Sequence, residues 1–164
     1  GTIEAARTDV PRLLTELDDV VRMDLAERNI RLRREVPDDF PAVYVDGVQV
    51  VQALINLINN AADAMESVGR WGEIKIKAAE IGDGLYELAV TDTGPGFPPG
   101  YNINEPTPFV TTKPDGTGLG LSIARTIAEA HGGRLVLKSS PEGACVKLQL
   151  PLGEHGDDRQ GFGS

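Results

Sequence analysis

The sequence predicts an α+β fold in two layers, a mixed sheet covered on one face by about three helices. Two hairpin patterns carry the sheet. Residues 73–80 (EIKIKAAE) and 85–92 (LYELAVTD) alternate apolar and polar side chains and are joined by GDG, and residues 134–140 (RLVLKSS) and 144–151 (ACVKLQLP) alternate in the same way. Three stretches with apolar residues at helical spacing precede and separate these hairpins, an order that lays helices against one side of a sheet.

The elements follow in order. A helix is expected over 8–28: Thr8 or Asp9 stands as N-cap, Pro11 falls in the first turn, and Leu13, Leu17, Val20, Val21 and Leu25 form one stripe. IRLRREV alternates as a strand, Pro37 and Pro41 bracket a loop, and AVYV is a short strand. Asp46 caps a long helix running through Met65, closed by a loop around Gly69 and Gly72. After the first hairpin come DTGPGFPP and an irregular stretch from Gly100 to Asp115. The last helix is opened by GTGLGL, carries Leu119, Ile123 and Ile127 on one face, and ends at Gly132 and Gly133, which supply a C-cap. The sum is about three helices and five or six strands, without internal repeats.

At 164 residues and 40% hydrophobic content the chain suits one domain that folds alone. Its 16 Lys and Arg face 25 Asp and Glu, a net charge of −9 with no basic run, which disfavours nonspecific binding to nucleic acid or an anionic membrane. The single cysteine, Cys145, has no intramolecular disulfide partner and favours a reducing compartment. No apolar run approaches the ~20 residues of a membrane span, and nothing resembles a signal peptide, so the expectation is a soluble, cytoplasmic piece. Gly1 and the tail GEHGDDRQGFGS are expected to play no part in the fold.

Three motifs carry chemistry. The glycines of GTGLGL lack side chains where a helix begins, so backbone N–H groups and the helix dipole can face an anion such as phosphate; the alternative is an ordinary cap. In NLINNAADAM, Asn56 and Asn60 are four apart and share a helical face among apolar neighbours. Such amides either cross-link elements through hydrogen bonds or offer a carbonyl oxygen to Mg²⁺ beside nucleotide phosphates. DTGPGFP follows a strand directly, so Asp92, Gly94 and Gly96 either form a plain turn or expose a backbone beside a carboxylate. That carboxylate can accept a hydrogen bond from the exocyclic amine of adenine, and it discriminates against guanine, which presents an acceptor there.

NLINNA, DTGPG, PFVTTK and GTGLGL, in that order, resemble the N, G1, F and G2 boxes of the catalytic and ATP-binding domain of sensor histidine kinases, in the superfamily that also holds gyrase, HSP90 and MutL. The resemblance runs from about Asp46 to Pro151 and implies the two-layer α/β sandwich called the Bergerat fold. It implies ATP and Mg²⁺ as ligands, with Asp92 on the adenine amine, Asn60 on Mg²⁺, and Gly94 and Gly96 shaping the adenine pocket. Residues Phe97 to Asp115 would form a lid. Gly116, Gly118 and Gly120 would approach the phosphates, with Thr112, Thr117 and Leu119 in the same nucleotide-binding set. Residues 1–28 would be a linker and leading helix from the phosphoacceptor region, 29–152 the catalytic domain and 153–164 a flexible tail. The partners implied are the protein's own dimerisation and phosphoacceptor domain and a response regulator. No nucleic acid or direct membrane contact is expected, and the isolated domain should be monomeric.

Two departures qualify this resemblance. Many relatives carry a Lys three residues after the Mg²⁺ asparagine, where this chain has Asp63, an acid that would repel phosphate. The cationic contact is therefore assigned to Lys113 of the TTK sequence, a pairing similar to that of nitrogen- or oxygen-responsive sensor kinases. An aromatic residue found next to that Lys in some relatives is replaced by Ala64. Hydrolytic members of the superfamily carry a Glu general base where Asn56 stands, and an amide cannot take a proton at neutral pH, so transfer rather than hydrolysis is expected. Of the two histidines, His131 ends the last helix and His155 lies in the tail, and neither has the surroundings of a phosphoacceptor. Two other readings remain: a degenerate nucleotide-binding or interaction module without phosphotransfer, and a serine kinase of the anti-sigma type.

Overall fold

The structure is a computed structural model that describes residues 2–67, 72–94, 118–140 and 143–153. The elements are β1 (Ala6–Thr8), α1 (Val10–Glu27), β2 (Ile30–Glu35), β3 (Val43–Val45), α2 (Gly47–Ser67), β4 (Gly72–Gly82), β5 (Leu85–Asp92), α3 (Gly118–Ala130), β6 (Arg134–Ser140) and β7 (Gly143–Pro151). Five strands form one sheet in the order β2-β4-β5-β7-β6. Only the β2–β4 pair is parallel, which makes the sheet mixed. The three helices pack against one face of it, as the alternation of the strands requires. Ile74, Ile76, Tyr86, Leu88, Val90, Leu148 and Leu150 point into the core, joined there by Leu14 and Leu17 of α1, Leu54, Leu57 and Ile58 of α2, and Leu121 of α3.

The opposite face is a polar lattice. Lys147 and Gln149 of β7 both reach Glu87 of β5, and Arg33 of β2 bridges Glu35 and Glu73.

Local chemistry explains the joints. The β4–β5 turn is a two-residue loop of Asp83 and Gly84 with φ of 55° and 74°, the type I′ geometry whose twist matches the flanking strands. Helix α3 ends in a Schellman motif. Gly132 takes φ of 81° and donates to Glu129 O at 3.0 Å, while Gly133 N–H reaches Ala128 O at 2.8 Å. Asp46 caps α2 through Oδ1, which accepts from Gln49 N–H at 3.3 Å.

Several expectations are corrected. The short strand β1 pairs with β3 in a second, two-stranded sheet that three residues of sequence did not announce. Asp9 occupies the N-cap position of α1, but its side chain makes no capping hydrogen bond. Val20 is 61% exposed, because at about 100° per residue it lies about 80° from the centre of the arc formed by Leu13, Leu17, Val21 and Leu25, outside that arc. On α3 the deepest positions are Leu121, Ala124 and Ala128, with Ile127 beside them and Ile123 only half-buried. Gly153, placed in the tail by the sequence reading, packs against β3: with φ of 102°, a Cβ there would lie 2.7 Å from Tyr44 Cβ. The preceding Leu152 donates to Gly84 O at 2.7 Å and accepts from Tyr44 N–H at 3.1 Å, which ties the end of β7 to both sheets.

Candidate functional site

Asp92 ends β5 at the sheet centre and is 7% exposed. A carboxylate so placed needs hydrogen-bond donors, and it finds them in backbone. Gly94 N–H donates to Oδ1 at 2.7 Å and Ala144 N–H to the same oxygen at 3.3 Å. Oδ2 takes part in neither bond. Burial raises the Asp92 carboxyl above its ordinary value, against the two N–H groups that hold it down. The result is a fixed acceptor with one oxygen held by the fold and the other oriented by it.

Gly94 explains its own identity. A Cβ at this position would lie 2.9 Å from Met65 Cγ and 3.0 Å from Asp92 Oδ1, so the chain can pass between helix and carboxylate only without a side chain. The contact sets the end of β5 beside the last turns of α2. Gly143 plays a matching part from β7, where an added Cβ would collide with the carbonyl of Asp92. Thr93 Oγ1 accepts from Glu73 N–H at 3.2 Å and ties the end of β5 to the start of β4.

On α2 the asparagines lie on the side opposite Leu54, Ile58 and Met65, yet both are half-buried. Among the described residues the Asn56 amide nitrogen is the one buried side-chain polar atom with no hydrogen-bond partner. An unmet donor inside a protein costs about 1–3 kcal/mol, which a ligand oxygen would recover. No group of three or more His, Cys, Asp or Glu among the described residues is placed to hold a metal ion. On the same stripe the Asn60 side chain offers an amide oxygen, a hard donor of the kind Mg²⁺ takes beside ligand oxygens.

Asp63, one turn beyond Asn60, does not stand as a bare acid. Its Oδ1 accepts from Arg28 Nη1 at 2.9 Å, a contact between distant residues that no local pattern announces. His131 is likewise occupied: Nδ1 lies 2.9 Å from Ile127 O and Nε2 accepts from Asp46 N–H at 3.1 Å. With Nδ1 the donor, this ring bridges the end of α3 to the start of α2 and keeps no free lone pair for a phosphoryl group. Gly96, Thr112, Lys113, Gly116 and Thr117, and the lid Phe97 to Asp115, lie outside the described residues, as does His155. Gly118, Leu119 and Gly120 form the first turn of α3 by backbone, their side chains being outside the description. The structure thus brings Asp92 and Gly94 to α2, and among the described residues Gly118 opens α3.

The sandwich is that of histidine kinase catalytic domains. The catalytic domain of histidine kinase ThkA superposes with a TM-score of 0.77 at 30% identity, covering 90% of this chain and 95% of that one. Full-length ShkA in complex with AMPPNP matches with a TM-score of 0.79 at 28% identity, over 92% of this chain and 32% of that one. Residues 45–154 match the family described as histidine kinase-, DNA gyrase B-, and HSP90-like ATPase, and the chain belongs to that family. Among curated relatives, sensor histidine kinase ZraS of Salmonella typhimurium is 36% identical over 141 residues, 85% of this chain and 30% of that protein. Sensor protein FixL of Bradyrhizobium diazoefficiens is 35% identical over 155 residues, 94% of this chain and 30% of that protein. The chain therefore spans about a third of the length of these sensor kinases. No helix among the described residues is long and apolar enough to cross a membrane.

Proposed function

We propose that this chain is the ATP-binding catalytic domain of a two-component sensor histidine kinase, and that it transfers the γ-phosphoryl group of ATP to a histidine on a separate dimerisation and phosphoacceptor domain. The observation that carries the reading is the buried Asp92, fixed through Oδ1 by Gly94 and Ala144 so that Oδ2 is oriented as an acceptor. An adenine amine satisfies such an acceptor and a guanine carbonyl does not. Gly94, with Gly96, would shape the adenine pocket, Gly94 by letting the chain pass between Met65 and the Asp92 carboxylate. Asn60 would supply an amide oxygen to Mg²⁺, and Asn56 the unmet amide donor next to it. When bound, Mg²⁺ neutralises charge on the transferring phosphoryl group. Lys113, with Thr112, Gly116, Thr117, Gly118, Leu119 and Gly120, would complete the phosphate side.

In this reading Asn56 favours transfer over hydrolysis. Its amide cannot abstract a proton from water, so the site holds no general base at that position, and a neutral imidazole nitrogen needs none. The ShkA complex with AMPPNP and the complex of ThkA with response regulator TrrA, both from related kinases, support nucleotide binding and association with a regulator. The decisive experiment supplies a phosphoacceptor domain in trans with γ-labelled ATP. Labelling of that domain's histidine, with negligible steady ATP hydrolysis by this chain alone, is expected. Nucleotide binding without any label would favour a binding module instead, and label on His131 or His155 would contradict the assignment.

A further inference from the structure

Helix α1 ends at Glu27, and Asn29 turns the chain through φ of 61°, a left-handed residue that leaves Arg28 at the C-cap facing α2. Three acids surround this arginine. Asp63 Oδ1 lies 2.9 Å from Nη1, Glu66 Oε1 lies 3.6 Å from the same nitrogen, and Asp24 Oδ2 lies 3.3 Å from Nε. Burial works against the guanidinium charge, but the Asp63 hydrogen bond and the fields of Asp24, Asp63 and Glu66 outweigh it and raise the group above its ordinary value. Both members of the Arg28–Asp63 pair are about four-fifths covered, with side chains 21% and 20% exposed, while Asp24 and Glu66 are mostly open to solvent.

Asp63 stands at i+7 from Asn56 and i+3 from Asn60, so the three share one stripe of α2. Neighbours at i+3 on a helix are about 5–6 Å apart at Cβ. Any ligand that reaches the two asparagines therefore meets the charge at Asp63, and Arg28 fixes what that charge is. We infer that the Arg28–Asp63 ion pair is a specificity device of the nucleotide site: Arg28 masks Asp63, and the pair sets how strongly the site prefers nucleotides with more phosphates. This rests on the nucleotide-binding reading of the α2 stripe. Arg28 acts through Asp63 and is a positioning residue, reaching the site from the helix that precedes the matched family region.

The test is calorimetric titration of ATP, ADP and AMP, with Mg²⁺, against the wild type, Arg28→Ala, Arg28→Lys, Asp63→Asn and the Arg28→Ala/Asp63→Asn double variant. Arg28→Ala exposes the Asp63 carboxylate and should weaken ATP relative to AMP. Coulomb's law over roughly 8 Å, at effective dielectric constants of about 20 to 80, gives about 2- to 30-fold per unit of phosphate charge. Asp63→Asn should shift the ratio the other way. Arg28→Lys and the double variant, which keep the wild-type local charge, should restore it. Equal weakening of all three nucleotides by Arg28→Ala, or a double variant that keeps the Arg28→Ala ratio instead of returning to the wild-type one, would show a structural role only and overturn the inference. Failure of the wild type to bind any of the three would instead remove the nucleotide reading on which it stands.

Discussion

Replacing Asp92 by Asn separates recognition from folding. Asparagine keeps an Oδ1 able to accept the Gly94 and Ala144 N–H groups and puts an amide donor where Oδ2 was. Against an adenine amine, that donor faces a donor. A hydrogen bond to a charged group contributes about 1.5–3 kcal/mol, so its loss alone predicts roughly 10- to 150-fold weaker ADP binding. The same donor suits the guanine carbonyl, so the preference for ADP over GDP should shrink or reverse. Stability should move the other way. Burial raises the Asp92 carboxyl, which means the folded chain binds that proton more tightly than the unfolded chain. The ionised group thus costs stability above its folded value, and the cost fades as the pH falls through the folded value and is gone below the unfolded one. Asp92→Asn should unfold no earlier than the wild type in urea at pH 7, with the difference vanishing in acid. Competitive ADP and GDP titrations with parallel urea melts read both effects. Unchanged nucleotide preference with a marked loss of stability would refute the reasoning, because Asp92 would then be a structural turn residue.

Gly94→Ala should cost about 1–3 kcal/mol in urea denaturation and weaken ADP, since its Cβ would crowd Met65 Cγ at 2.9 Å and Asp92 Oδ1 at 3.0 Å. His131→Ala should lower stability by about 1–2 kcal/mol through the unpaired Asp46 N–H while leaving ADP affinity unchanged, as a titration after a urea melt would show. Leu17→Ala should cost about 2–5 kcal/mol by the same melt, because Leu17 is fully buried and its removal leaves a cavity between α1 and the rest of the core.

The fold was legible where pattern is local. The alternation in EIKIKAAE and LYELAVTD, with Asp83 and Gly84 between, dictated a hairpin, and the spacing in residues 13–25 dictated a helix. What escaped depends on distant partners. Ala6–Thr8 becomes a strand only because Val43–Val45 lies alongside, and β2 becomes parallel to β4 only after α2 carries the chain back over the sheet. Within the site, Asp92, Gly94 and the asparagine stripe announced themselves by residue type at a strand end or on a helix face. The Ala144 N–H and the Arg28 guanidinium did not: one is backbone, and the other lies 35 positions from Asp63. Asp63 consequently read as a repelling acid, whereas in the folded chain its charge is met.

The most direct measurement is calorimetry of ATP and ADP binding to this chain, with and without Mg²⁺. The account predicts one site per chain with micromolar to millimolar affinity, selectivity for adenine and a gain on adding Mg²⁺. No binding at millimolar nucleotide would contradict it, and would leave the boxes as scaffold for an interaction module.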